Sequence, residues 1–255
     1  MTAPQTGFEF RALALILVLA AISTTATRNN FPKNKDMKTL RRHWYNIGGV
    51  IALISIVLLI YLWNDLGSLQ RLLFMNFIAL LVHQYEEYGY PGGEPAIMNM
   101  VIQPSDAPNR YPLNQNSAMI INILAAYLFY LLPVFFPGVI WLGMAPTLFG
   151  FGQFIIHGIV TPKKLGQFYN PGLGAVVLLH FPIGGLIIYH IISDHLATPV
   201  DWIAGVVYMF AFMFITLMKM TYTWLADKNS PYIFPEEEMR RFNVQAKMDR
   251  LKENR

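Results

Sequence analysis

From Leu69 to Tyr88 the chain reads LQRLLFMNFIALLVHQYEEY and runs straight into Gly89-Tyr90-Pro91-Gly92-Gly93. An apolar run long enough to cross a bilayer therefore ends in one imidazole and two carboxylates, His83, Glu86 and Glu87. On an α-helix each residue advances about 100°, so all three project from one face. Groups of this kind beside hydrocarbon need a cation, a network of donors or open water. Metal binding is the sharpest answer. The plainer one is that Glu86 and Glu87 mark the place where the helix reaches water.

The 255-residue chain is 55% hydrophobic and 13% charged, where a soluble domain carries about 25% charge. With a mean hydropathy of +0.39 and several apolar runs near bilayer length, the fold class is an all-α, polytopic transmembrane helix bundle. There is no cysteine, which excludes disulfides, thiolate metal sites and cysteine nucleophiles and leaves histidine and oxygen as the only metal ligands. The net charge of +4 does not indicate a nucleic-acid partner, because the basic residues sit in short loops and the tail. Membrane orientation accounts for them better.

In order, the expected spans are residues 10–23, 44–63, 69–88, 116–136, 139–160, 173–193 and 202–225. That makes about seven, or six if the first run is a cleaved signal peptide. Pro137-Gly138 turns the fourth span into the fifth as an antiparallel hairpin. Placing Arg28, Lys33, Lys35, Lys38, Arg41 and Arg42 in the cytoplasm also puts there Lys163, Lys164, the 89–114 loop and the C-terminus, while the other side receives almost nothing basic. Residues 1–225 form one transmembrane domain. Residues 226–255 are a cytoplasmic tail whose helix, starting at Pro235-Glu236-Glu237-Glu238, turns Met239, Phe242, Ala246 and Met248 toward the inner leaflet or a partner. A multi-pass protein of a bacterial-type inner or cytoplasmic membrane fits this pattern.

This topology brings three histidines to one depth in the inner leaflet. His83 closes the third span, His157 lies three residues before the end of the fifth, and His180 comes two turns into the sixth. Intramembrane histidines and acids are rare and usually face the bundle interior. Asn122 and Gln153 fall at similar depth, as interhelical hydrogen-bonding groups or as groups that orient ligands or substrate. His190 with Asp194 belongs to the far side, and His43 and His195 to loops.

The string from His83 to Glu87 followed by Tyr88, Pro91-Gly92-Gly93 and Asn99 resembles the motif of the HXXEE family of membrane proteins. Tyr169-Asn170-Pro171-Gly172, after His157, is similar to that family too. The resemblance covers about residues 72–196, and Glu94 stands where the motif would continue with an aromatic residue. The family has no assigned biochemical function, so the resemblance implies no particular activity. It does add Asn99 and Asn170 to the residues expected to bind substrate or support the ligands.

Together these features point to an integral-membrane metalloenzyme acting at the cytoplasmic leaflet on a lipid or other hydrophobic small molecule. Its zinc or iron ligands are drawn from His83, Glu86, Glu87, His157 and His180. A bundle diiron site usually takes four carboxylates, and only two are offered, so a hydrolytic mononuclear site is favoured over a non-haem iron oxidoreductase. Glu86, one residue deeper, is expected as ligand and Glu87 as second ligand or general base. The rival classes are a proton- or ion-coupled transporter and a structural subunit with an oligomeric or membrane partner.

Overall fold

The computed structural model describes residues 35–253, with side chains from Met37 onward. The chain divides into two units, Met1–His43 and Trp44–Arg255. Of the first, the described part is the opening of helix α1 (Lys35–Tyr61), and the expected span at residues 10–23 lies outside the described residues. The second unit holds the rest of α1, then α2 (Ser68–Tyr88), α3 (Gln115–Phe135), α4 (Ile140–Leu165), α5 (Leu173–Ser193), α6 (Pro199–Trp224) and α7 (Val244–Glu253). Short helices at Glu94–Ala96, continuing as Ile97–Ile102, at Glu236–Met239 and at Arg241–Asn243 complete it. Among the described residues every regular element is helical.

Five of these helices are long and apolar enough to cross a membrane, against the seven expected: Met37–Tyr61 and α3 to α6. Helix α2 has the length, at 21 residues, but not the apolarity. Arg71, Asn76, His83, Gln84, Glu86 and Glu87 dilute its Leu, Phe and Ile residues. It is instead enclosed by protein, packing on α3 and α5, while α5 also packs on α4 and α4 on α6. Lipid-suited surface lies elsewhere. Val200, Ile203, Val207 and Phe210 form an exposed apolar stripe at helical spacing on α6, as do Val50, Leu53, Val57 and Ile60 on α1.

Local chemistry sets the helix starts. Asn114 caps α3 by accepting from the backbone N–H groups of Asn116 and Ser117, while Ser117 Oγ accepts from the Asn114 N–H. Thr198 and Asp201 make the same reciprocal cap on α6, with Pro199 at the first helical position. The α3–α4 turn at Pro137-Gly138 gives the expected packed helix pair. Between the helices the centre is aromatic: Phe129 stacks face to face on Phe212 at 3.8 Å and meets Phe149 edge-on at 5.9 Å.

The tail docks on its own chain. Val244, fully buried, packs with Ala96, Ile97, Val101 and Leu165, and Met239, Phe242 and Met248 border this cluster. The apolar side expected to meet a membrane leaflet or a partner is therefore covered by residues 94–102 and the end of α4. Ala246, expected on that side, is exposed. The helix itself breaks at Phe242 and Asn243, where φ is +60° and +50°, so Val244 rather than Ala246 turns inward.

Candidate metal centre

Three helices deliver the three histidines to one place. The ring of His83, on α2, lies 5.0 Å from that of His157 on α4 and 5.6 Å from that of His180 on α5. All three are buried. Helical geometry puts Asn76, His83 and Glu87 on one stripe of α2, seven and then four residues apart. The backbone at two of the histidines is not plain α-helix. His157 sits in a π-helical segment, Ile155–Val160, and His180 ends another, Val176–His180. Asn99 and Asn122 also stand in π-helical segments, Ile97–Ile102 and Ile120–Ala126. Such bulges rotate a side chain off the regular helix face and recur at functional sites.

The imidazole contacts define a single polar focus. Glu87 Oε1 is 3.3 Å from Nε2 of His83 and 3.3 Å from Nε2 of His157. The other nitrogen of each ring is committed elsewhere: His83 Nδ1 lies 3.2 Å from the Gly172 carbonyl and His157 Nδ1 lies 2.9 Å from Asn170 Oδ1. Asn170 is oriented by its own amide, which donates to the His157 carbonyl at 2.6 Å. Both Nδ1 atoms must therefore donate, and each ring, when neutral, turns an Nε2 lone pair toward Glu87. Two lone pairs and a carboxylate oxygen at this distance repel unless a proton or a cation lies between them. His83 Nε2 makes no hydrogen bond despite the nearby carboxylate.

The set fits a metal ion. Ligand bonds of about 2.0–2.1 Å in a tetrahedral site hold neighbouring ligand atoms about 3.3–3.4 Å apart, the separation of Glu87 from each imidazole. One donor atom from each of His83, Glu87 and His157 lies within 4.8 Å of the other two. His180 falls outside this group. Its Nδ1 lies 3.3 Å from Asn76 Oδ1, and the ring packs so tightly on α4 that a Cβ on Gly150 would come within 2.8 Å of it.

The two glutamates have different surroundings. Glu86 Oε1 accepts from the Tyr169 hydroxyl at 2.9 Å and the Gly174 N–H at 3.0 Å, and its Oε2 accepts from the Ala175 N–H at 2.7 Å. It caps the start of α5, where unpaired N–H groups and the helix dipole favour an anion. The order expected for the pair is thus reversed in space: Glu87 meets the imidazoles and Glu86 meets backbone donors.

The remaining candidates divide by contact. Asn170 is fully buried against His157. Asn99, also fully buried, donates to the Pro108 and Leu113 carbonyls at 2.8 and 2.7 Å and accepts from the Leu113 N–H at 3.0 Å. These side-chain hydrogen bonds all go to the loop 108–113. Asn122 Oδ1 accepts from Gln84 Nε2 at 3.1 Å, an α2–α3 crosslink. Gln153 is half-buried, one turn before His157.

Reading by residue type passed over two buried groups. Asn76 was findable, since a seven-residue spacing places it on the His83 face. Glu94 was noted only as a departure from a motif, yet it is buried, and burial together with the Glu87 charge raises its carboxyl well above the usual range, His157 acting the other way. Burial and the bond to Glu86 likewise raise the Tyr169 hydroxyl.

No curated protein and no solved structure matches the chain. Residues 74–189 match the family described as "Protein of unknown function with HXXEE motif". The match begins inside α2, ends inside α5 and contains His83, Glu87, His157, Asn170 and His180, so that over this span the chain is similar to the HXXEE family.

Proposed function

We propose that this is an integral-membrane, metal-dependent hydrolase acting at the cytoplasmic leaflet on a lipid or other hydrophobic small molecule. The observation that carries it is the shared focus of two imidazole Nε2 atoms on one Glu87 oxygen, both rings being locked by their Nδ1 partners. His83, His157 and Glu87 would hold the metal, a His₂Glu set. A metal held there, zinc in the first instance, would supply a water of lowered pKa. Glu94, kept protonated by burial and by the Glu87 charge, would donate a proton to the leaving group. Glu86 accepts instead from Tyr169, Gly174 and Ala175 and is left out of the chemistry.

Position supports a site at the membrane surface. Lys164 Nζ donates to the carbonyls of Val101 and Ile102 at 3.2 and 3.0 Å, and the tail packs on both segments, so the 89–114 loop, the 161–172 loop and the tail gather at one end. Their lysines and arginines favour the cytoplasm. With α2 counted beside the five apolar helices and the run at 10–23, this reading keeps seven spans. Exposed Tyr90, Phe168 and Tyr169 at this end suit the headgroup layer.

The test is metal content. Protein purified in detergent without chelator, then titrated with Zn²⁺, is expected to hold one ion per chain, and His83→Ala, His157→Ala or Glu87→Gln to lose it. A wild-type protein that takes up no Zn²⁺ or iron would sink the proposal.

A further inference from the structure

One carboxylate grips both flanks of the turn that orients both imidazoles. The turn is Asn170-Pro171-Gly172. Its N-terminal flank is Tyr169, whose hydroxyl donates to Glu86 at 2.9 Å. Its C-terminal flank is Gly174 and Ala175, whose N–H groups donate to Glu86 at 3.0 and 2.7 Å. Between those flanks stand the two acceptors that fix the histidines, Asn170 Oδ1 on His157 and the Gly172 carbonyl on His83.

We infer that Glu86 is a positioning residue: it clamps the 170–172 turn so that His83 and His157 both keep Nδ1 protonated and both present Nε2. The two adjacent glutamates then divide the work of the motif, Glu87 facing the imidazoles and Glu86 facing the turn that holds them. Helical spacing makes this possible. Glu86 is three residues after His83, so one turn of α2 presents both the imidazole and the clamp to the same loop. Gly172 is needed at its place because φ is +98° and a Cβ would lie 2.5 Å from His157 Cε1. The turn is therefore pressed against the ring it orients and has little room of its own.

The consequence for metal affinity rests on the proposed ligand role of the histidines, whereas the tautomer assignment does not. Both are therefore measured. Ring ¹⁵N NMR of histidine-labelled full-length protein in detergent, metal-free and at mildly alkaline pH, reads the tautomers, with single histidine substitutions assigning the six residues. In the wild type His83 and His157 should both carry their proton on Nδ1. In Glu86→Ala one or both should shift toward the Nε2-protonated form, and Zn²⁺ affinity should fall about 10–100-fold, the usual cost of losing an outer support of a ligand. Glu86→Gln retains an acceptor oxygen and keeps the protein folded if Glu86→Ala does not; it should move the same signals less. Wild-type tautomers in Glu86→Gln and Glu86→Ala alike, or in Glu86→Gln alone if the alanine variant does not fold, would overturn the inference. A wild type with the expected tautomers but no Zn²⁺ binding would overturn only the metal reading.

Discussion

Asn76 Oδ1 lies 3.3 Å from Nδ1 of His180, a contact that joins α2 to α5 two turns below His83. It gives His180 the same kind of partner that Gly172 and Asn170 give the other two rings. Replacing Asn76 with Leu should leave a buried imidazole without its acceptor, which costs about 1–3 kcal/mol. The expected outcome is a lower unfolding midpoint in detergent with Zn²⁺ stoichiometry unchanged. Loss of metal in Asn76→Leu would instead bring His180 into the ligand set.

Glu94 sets a pH dependence whose sign follows from burial. Its folded-state carboxyl is raised well above the ordinary value of 4.5, so between that value and its folded pKa the native state binds more protons than the unfolded one. Stability from this group is full below pH 4.5 and is lost as pH rises toward the folded pKa, at no more than about 1.4 kcal/mol per pH unit. Melting of chelator-treated protein across that window should show a decline that Glu94→Gln flattens. Parallel profiles for the two proteins would mean that Glu94 ionises at no cost.

Gly172→Ala places a methyl group against the His157 ring at a left-handed φ of +98°. Backbone strain alone costs about 1–2 kcal/mol, and the contact must also displace the ring or the turn. Helix content should persist while Zn²⁺ binding weakens at least tenfold. Wild-type affinity in this variant would show that the turn tolerates the displacement.

The docked tail can be tested apart from the metal. Val244→Asp puts a carboxylate into the cluster of Ala96, Ile97, Val101 and Leu165, where an apolar side chain stabilises by about 1.5–3 kcal/mol. Trypsin should then cut at Lys247 and Arg250 much faster than in the wild type. Equal cutting rates would mean that the tail is held by other contacts, such as the Arg241 side chain donating to the Tyr88 carbonyl.

Depth was legible in the sequence because helix length and loop charge fix it with no knowledge of packing. That is why His83, His157 and His180 emerge as one cluster. Azimuth was not legible. Whether Glu86 or Glu87 turns toward the imidazoles depends on how α2 is rotated against α5, and a one-residue step is a swing of about 100°. The π-helical segments at His157 and His180 add a further rotation that regular periodicity does not encode. Helix α2 read as an apolar span for a related reason: it has the length of a membrane helix, and only its neighbours show that protein surrounds it. The docking of the tail on its own chain was not legible because Val244 lies beyond a left-handed break at Phe242 and Asn243.

The polarity of α2 also bears on how the protein is made. Its inward stripe of Asn76, His83 and Glu87 finds partners in His157, Gly172 and His180, which leave the ribosome some 70 to 105 residues later. Until then a nascent α2 has no complement for these groups, and a lipid environment would expel them at a cost of several kcal/mol. Its final placement is therefore a late event in synthesis, waiting on completion of α5. Chains arrested before Leu173 should leave α2 open to quality-control proteases, whereas chains extending beyond Ser193 should protect it.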